Sequence, residues 1–268
     1  AKHSRKSYTT NNQKGTVAII DDRYIKLPKI GKIKAVIHRK PDADWTIKSA
    51  TISQDSDGKF YVSILFEYEK AITPAIISDN AVGIDYKSDG LYMDSNGYCP
   101  FGHKYYRQNQ EKLAQAQRKL KHMAIGSNNY KKQQCKIAKI QKHTSNQRLD
   151  FLHKESTKIT NLYDIVCVET LDMKAMSNKA FGNGKATMDN GYGMFLNMLE
   201  YKLANRGKYF VKVDKWYPSS QLCSCCGKQK KLTLADRIYK CDCGLTINRD
   251  HNAAINIKNE GLRILKSA

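Results

Sequence analysis

The sequence predicts an α/β protein with an antiparallel β module ahead of its core and a small metal-binding module late in the chain. Three observations predict it. Residues 15 to 70 run in short stretches that alternate apolar and polar positions between turn-forming Asp, Pro and Gly, the pattern of half-buried strands. From Ala81 onward, apolar runs alternate with long Lys-, Gln- and Ala-rich stretches, the strand and helix order of an α/β core. Five of the eight cysteines crowd into positions 223 to 243, which fits a zinc module in a reducing cytoplasm better than a disulfide framework.

Val17–Ile20, Ile33–Ile37, Thr46–Ile52 and Phe60–Tyr68 are the strands expected of the first module, residues 1–75, with turns at Asp21-Asp22, Pro41-Asp42 and Asp55 to Gly58. The basic start, Lys2 to Lys6, leads into strands without any start signal, so an incomplete or truncated protein is expected. A second strand set follows: Ala81 to Tyr86, Leu91 to Met93, and Tyr98 to Phe101. Gly126-Ser127 divides the next stretch into two long helices, Tyr105 to Lys121 and Asn128 to Leu162, an inserted hairpin at about residues 104–162. Asp164 to Glu169 is a continuous apolar run closed by an acid, as in a strand buried on both faces. A loop over Ser177 to Asn190, a helix over Gly193 to Asn205 and a strand over Tyr209 to Val213 complete a core of residues 76–215. A zinc ribbon is expected at 216–247 and a terminal segment at 248–268, with its helix over Asn248 to Asn259.

The formal net charge is +21, which points to a polyanionic partner, nucleic acid before membrane. No apolar run approaches the roughly 18 to 20 residues that span a bilayer, and the N-terminus lacks the apolar core of a secretory leader. Between Lys104 and Lys158 there are fourteen Lys or Arg against three acids. A helical pair so one-sided repels itself unless it faces phosphates. Its candidate contacts are Lys104, Arg107, Lys112, Arg118, Lys119, Lys121, Lys131, Lys132, Lys136, Lys139 and Arg148.

Cys223-Ser-Cys225-Cys226-Gly and Cys241-Asp-Cys243-Gly form two knuckles separated by 14 residues, the spacing of a structural Zn²⁺ site that steadies a module too small for its own core. Cys223 and Cys226 are the expected ligands of the first knuckle because a two-residue spacer lets both sulfurs converge, which leaves Cys225 spare; Cys241 and Cys243 complete the set. Three acids, Asp85, Glu169 and Asp250, lie 84 and 81 residues apart, so any relation among them is spatial. Two fall at or near the ends of apolar strands and the third opens a helix. Carboxylates so placed can hold two divalent ions about 4 Å apart for phosphodiester hydrolysis, and Mg²⁺ suits such hard oxygen donors. Asp250 alone would also pass for a helix N-terminal acid and Asp85 for a turn residue, whereas Glu169, behind an apolar run, is costly to bury without a partner.

Gly83-Ile84-Asp85, Val168-Glu169 with Leu171 and Met176-Ser177, Tyr217-Pro218-Ser219-Ser220, and Asn248-Arg249-Asp250-His251-Asn252-Ala253-Ala254 resemble, in order and context, the TnpB family. These are RNA-guided endonucleases of insertion sequences, related to type V CRISPR effectors. The resemblance implies an RNase H-like RuvC core with the helical hairpin and zinc ribbon inserted, preceded by part of an antiparallel, barrel-like wedge module. It implies Asp85, Glu169 and Asp250 as catalytic ligands of two Mg²⁺ ions, one structural Zn²⁺, a guide RNA and target DNA as partners, and a cytoplasmic, nucleoid-associated place in a prokaryotic cell. The family's upstream helical lobe has no counterpart in the sequence, so a separate N-terminal lobe, a second polypeptide or a homo-oligomer enters as a further partner. Two other readings share the fold: an RNA-guided binding protein that does not cut, which would be expected to lose acids that are intact here, and a transposase that joins strands without RNA.

Overall fold

A computed structural model of the chain describes residues 6–172, 176, 184–233 and 236–267. They form two compact units.

The first unit comprises the chain up to Ala71 together with Lys112–Lys142. Strands β1 (Ser7–Asn11), β5 (Thr46–Gln54) and β6 (Phe60–Glu67) make one antiparallel sheet in the order β1-β5-β6. A second antiparallel sheet joins β2 (Ala18–Ile20), β3 (Tyr24–Leu27) and β4 (Gly31–Lys34). The two-residue period of a strand buries Ile25 and Leu27 beside Val17 and Ala50 and leaves Lys26 outside. Helices α1 (Tyr105–Lys121) and α2 (Asn128–Leu162) have the expected bounds. Their Lys112–Lys142 portion belongs to this unit: the Lys142 ammonium pairs with Asp55 and lies 3.9 Å from the Tyr61 ring centre, and the Cys135 thiol donates to the Asp57 carbonyl at 3.1 Å. Two expectations change. The strand expected over Ile33–Ile37 stops at Lys34, beyond which Val36 is 81% exposed and has no core to pack against. The polar run of β1 has no apolar signal, yet it pairs along its whole length with β5.

The second unit, Ile72–Glu111 and His143 onward, is built on a four-stranded sheet in the order β10-β9-β7-β8. Here β7 (Ala81–Tyr86), β9 (Ile165–Glu169) and β10 (Tyr209–Val213) run parallel, and β8 (Tyr92–Asp94) is antiparallel to β7. Pairs Val82↔Val166 and Ile84↔Val168 turn one face toward Leu152 and Ile159 of α2 and toward Phe195, Leu199 and Leu203 of helix α4 (Tyr192–Ala204). Ala81, Ile165, Cys167 and Val213 on the opposite face pack against Ile257 and Leu262 of helix α5 (Arg249–Ser267). Helices cover both faces, so the parallel strands read as continuous apolar runs.

Tyr98–Phe101 is not a strand. Asp94 closes the preceding turn, its carboxylate accepting from the Asn96 and Tyr98 amides at 2.9 Å each, and the chain leaves the sheet there. Of the loop expected over Ser177–Asn190, the final part is helix α3 (Gly184–Asn190), and 177–183 lie outside the described residues. The last helix continues past Asn259 because Leu262, Ile264 and Leu265 extend its apolar face along the sheet. No described helix is long and apolar enough to cross a membrane.

Candidate active site and metal centre

Strand period and register place the first two acids. Asp85 and Glu169 each follow the paired Ile84 and Val168, so on adjacent parallel strands they share a sheet face. It is the face that carries Gly83 and Cys167, the one covered by α5. A β-carbon on Gly83 would stand 2.0 Å from the Ala254 carbonyl oxygen; the missing side chain lets helix and strand backbones touch. That contact brings the N-terminus of α5, with Asp250 in its first turn, to the ends of the strands. Asn248 caps the helix, its carboxamide oxygen accepting from the Asp250 amide at 2.9 Å and the His251 amide at 3.2 Å.

The electrostatics follow from crowding. Burial, then the Glu169 and Asp250 carboxylates, push the Asp85 carboxyl well above the usual carboxylate range, with Arg249 opposing. Burial pushes Glu169 to about 7. The Asp250 carboxylate accepts from the Lys87 ammonium at 3.1 Å and lies 3.6 Å from the Arg249 guanidinium. Partial burial works against the Lys87 charge, but Asp250 and Asp89 outweigh it and hold its pKa above the ordinary lysine value. Among the described residues, the three acids do not close to within 4.8 Å of one another; Asp250 is drawn to Lys87 instead. Tyr192, close enough to feel the Asp85 and Glu169 charges, is fully buried, its hydroxyl without a hydrogen-bond partner among the described residues, with its ring centre 4.9 Å from that of Tyr86.

The sulfurs of Cys223, Cys226, Cys241 and Cys243 all lie within 4.8 Å of one another, with Cys223–Cys243 and Cys226–Cys241 at 3.6 Å. Tetrahedral Zn²⁺ with bonds of about 2.3 Å needs sulfur separations of about 3.8 Å, so the cluster suits a structural zinc. Cys225 is exposed and outside it. The two knuckles turn alike, the Gly227 amide donating to the Cys223 carbonyl at 2.9 Å and the Gly244 amide to that of Cys241 at 3.0 Å. Sequence reasoning missed two residues that fasten this module to α5. Asn252 donates to the Leu222 carbonyl at 2.6 Å and accepts from the Ser224 amide at 3.0 Å; Asn256 donates to the Ser219 and Leu222 carbonyls at 2.8 and 2.7 Å. The signal was their i, i+4 spacing, since buried amides on one helix face need partners.

Lys104, Arg107, Lys112, Arg118, Lys119, Lys121, Lys131, Lys132, Lys136 and Lys139 are all exposed. Arg148 differs: its guanidinium turns inward to Asp189 at 3.4 Å, and its side chain is 20% exposed. Asp189, which the sequence did not single out, also accepts from the Tyr106 amide at 3.0 Å and so fixes the start of α1.

Residues 192–257 match the family model described as "Cas12f1-like, TNB domain", and residues 63–180 match OrfB_IS605, described as "Probable transposase". The chain belongs to the TnpB/OrfB_IS605 family. A Streptomyces pristinaespiralis protein named "Putative RNA-guided DNA endonuclease" is 39% identical over 218 residues, 80% of this chain and 53% of the relative. An Escherichia coli K12 protein, "Putative RNA-guided DNA endonuclease InsQ", is 32% identical over 257 residues, 90% of this chain and 63% of the relative. The chain thus spans 53% and 63% of the lengths of these two relatives. The fold is shared with a chain in the cryo-EM structure of the Cas12f1-sgRNA-target DNA complex, at a TM-score of 0.53 and 20% identity, covering 81% of this chain and 46% of that one.

Proposed function

We propose that the chain carries the hydrolytic part of an RNA-guided, Mg²⁺-dependent DNA endonuclease of an insertion-sequence element. The observation that supports it is the meeting of Asp85, Glu169 and Asp250, from three distant stretches, at one end of the parallel sheet, where the latter two carboxylates add to burial in raising the Asp85 pKa. On this reading the second unit holds a RuvC-like RNase H core with its zinc ribbon, and the sheets of the first unit are part of a wedge-type barrel.

The three carboxylates are hard oxygen donors of the kind Mg²⁺ takes, and a buried acid, Asp85, whose ionisation two neighbouring carboxylates oppose is suited to cationic charge. They would hold two Mg²⁺ ions, whose chemistry is to activate water and stabilise the leaving oxygen of a phosphodiester. The chain's own part is placement. The sheet register fixes Asp85 beside Glu169, the Gly83 contact fixes α5 over them, and Lys87 orients Asp250 through its hydrogen bond. The exposed lysines and arginines of α1 and α2 would hold phosphates. A guide RNA would choose the target by base pairing, leaving the protein to read backbone shape and a short adjacent motif. The remaining length of the relatives would be matched by an N-terminal lobe, a second polypeptide or a second copy of the chain.

Both relatives carry names with RNA-guided DNA endonuclease in them, which favours cutting over strand transfer. The test of RNA guidance is sequencing of the RNA that copurifies when the chain is expressed with its native flanking DNA. One abundant species ending in variable guide sequence is expected; no enriched RNA contradicts RNA guidance for this chain.

A further inference from the structure

The segment that leads from β8 into the first turn of α1 mixes aromatic and basic residues: Phe101, His103, Lys104, Tyr105, Tyr106, Arg107. Its Phe101, Lys104 and Arg107, with Lys87 and Asp89, line an open cleft of about 760 Å³ in the second unit. We infer that this cleft is a single-strand platform, on which a base of the DNA strand to be cut stacks on Phe101 while Lys104 and Arg107 hold the flanking phosphates.

Four observations carry it. Phe101 is 78% exposed, an unfavourable placement for an aromatic ring in water. Its own position is braced: the His103 ring stands edge-on to it at 5.2 Å and is in turn stacked on Tyr105 at 5.1 Å and edge-on to Phe151 at 5.1 Å. Behind the ring the loop is locked, because a β-carbon on Gly102 would fall 2.1 Å from the Asp89 carbonyl oxygen. Lys104 and Arg107 are exposed and, among the described residues, in no ion pair, whereas the cleft's carboxylate, Asp89, has Lys87 at 3.6 Å. A rigid exposed ring between cations is the arrangement that holds single strands, since every base offers a π-face and every nucleotide a charge.

Lys87 gives the cleft its direction. Its ammonium is shared between the cleft wall and Asp250, so a phosphate beside Lys87 lies at the edge of the acid cluster. The occupant is therefore the strand presented for hydrolysis, and in that respect the inference rests on the nuclease reading above.

The experiment measures fluorescence anisotropy of the whole chain without added Mg²⁺, where no bond is cut, with a labelled ten-nucleotide oligothymidylate and an abasic strand of the same length. Phe101→Ala is expected to weaken the thymidylate about tenfold, the worth of one stacked base, and to leave the abasic strand unchanged. Phe101→Trp should retain affinity, which separates lost stacking from lost folding. Lys104→Ala and Arg107→Ala should each flatten the dependence of log affinity on log salt by about 0.7. The inference is overturned if the wild-type chain does not bind thymidylate, if Phe101→Ala alters both strands equally or neither, or if oligouridylate binds tenfold more tightly. Failure of the nuclease reading would look different: cutting that persists in Asp85→Ala, with stacking at Phe101 intact.

Discussion

Replacing Gly83 by Ala tests the contact that assembles the site. The added methyl would lie 2.0 Å from the Ala254 carbonyl oxygen, 2.6 Å from the Lys258 amide nitrogen and 2.9 Å from its β-carbon. A carbon and a carbonyl oxygen rest at about 3.3 Å, so α5 must retreat by about 1.3 Å. Overpacking of this kind costs about 1–3 kcal/mol, and the upper end applies because two of the three atoms are backbone and cannot rotate away. At about 2–4 °C per kcal/mol for a unit of this size, melting should fall by about 6–12 °C. The same retreat carries Asp250 away from Asp85 and Glu169, and misplacement by about 1 Å can cost 10²-fold in rate. Thermal unfolding followed by circular dichroism, with a cleavage assay on the same preparation, reads both effects. Melting within about 1 °C of wild type, with cleavage unchanged, would refute the claim that backbone contact at Gly83 sets the site.

Three further outcomes follow from the geometry. Elemental analysis should find about one zinc per chain in the wild type and in Cys225→Ser, and Cys226→Ser should lose it, because only the latter sulfur belongs to the cluster. Without added Mg²⁺, the Glu169 contribution to stability should fall as pH rises from about 4.3 to 7: the folded state keeps a proton on Glu169, whose pKa burial has raised to about 7, after the unfolded chain has released it. Glu169→Gln should remove that part of the slope, and an unchanged slope in denaturant titrations across this range would contradict it. Asp189→Asn should destabilise by about 3 kcal/mol, the lower end for a broken buried pair since Arg148 keeps some exposure; urea unfolding against the wild type checks it.

The helical pair and the central strands were legible in the sequence because their signals are local. Gly126-Ser127 breaks the helices where the structure does, and the apolar run before Glu169 is one strand buried on both faces. The four cysteines were readable from spacing, and the structure gathers those four and omits Cys225. What escaped was set by partners distant in sequence. β1 is polar and becomes a strand only by pairing with β5. Lys112–Lys142 looks like any solvated helix tip, yet it meets Asp55 and Asp57 far upstream. The inward turn of Arg148 depends on Asp189, 41 residues later, and no pattern around either residue announces the other. At the three proposed acids, sequence offered the carboxylates but not Lys87, whose contact appears only when its ammonium is found on Asp250.

The most direct test of the central claim is cleavage of a matched double-stranded DNA by the chain, charged with its copurified RNA, with Mg²⁺ or EDTA, for wild type and Asp85→Ala. The account predicts Mg²⁺-dependent cutting by the wild type and none by Asp85→Ala, with nucleic-acid affinity nearly the same in both. Mg²⁺-dependent cutting that survives in Asp85→Ala would contradict it.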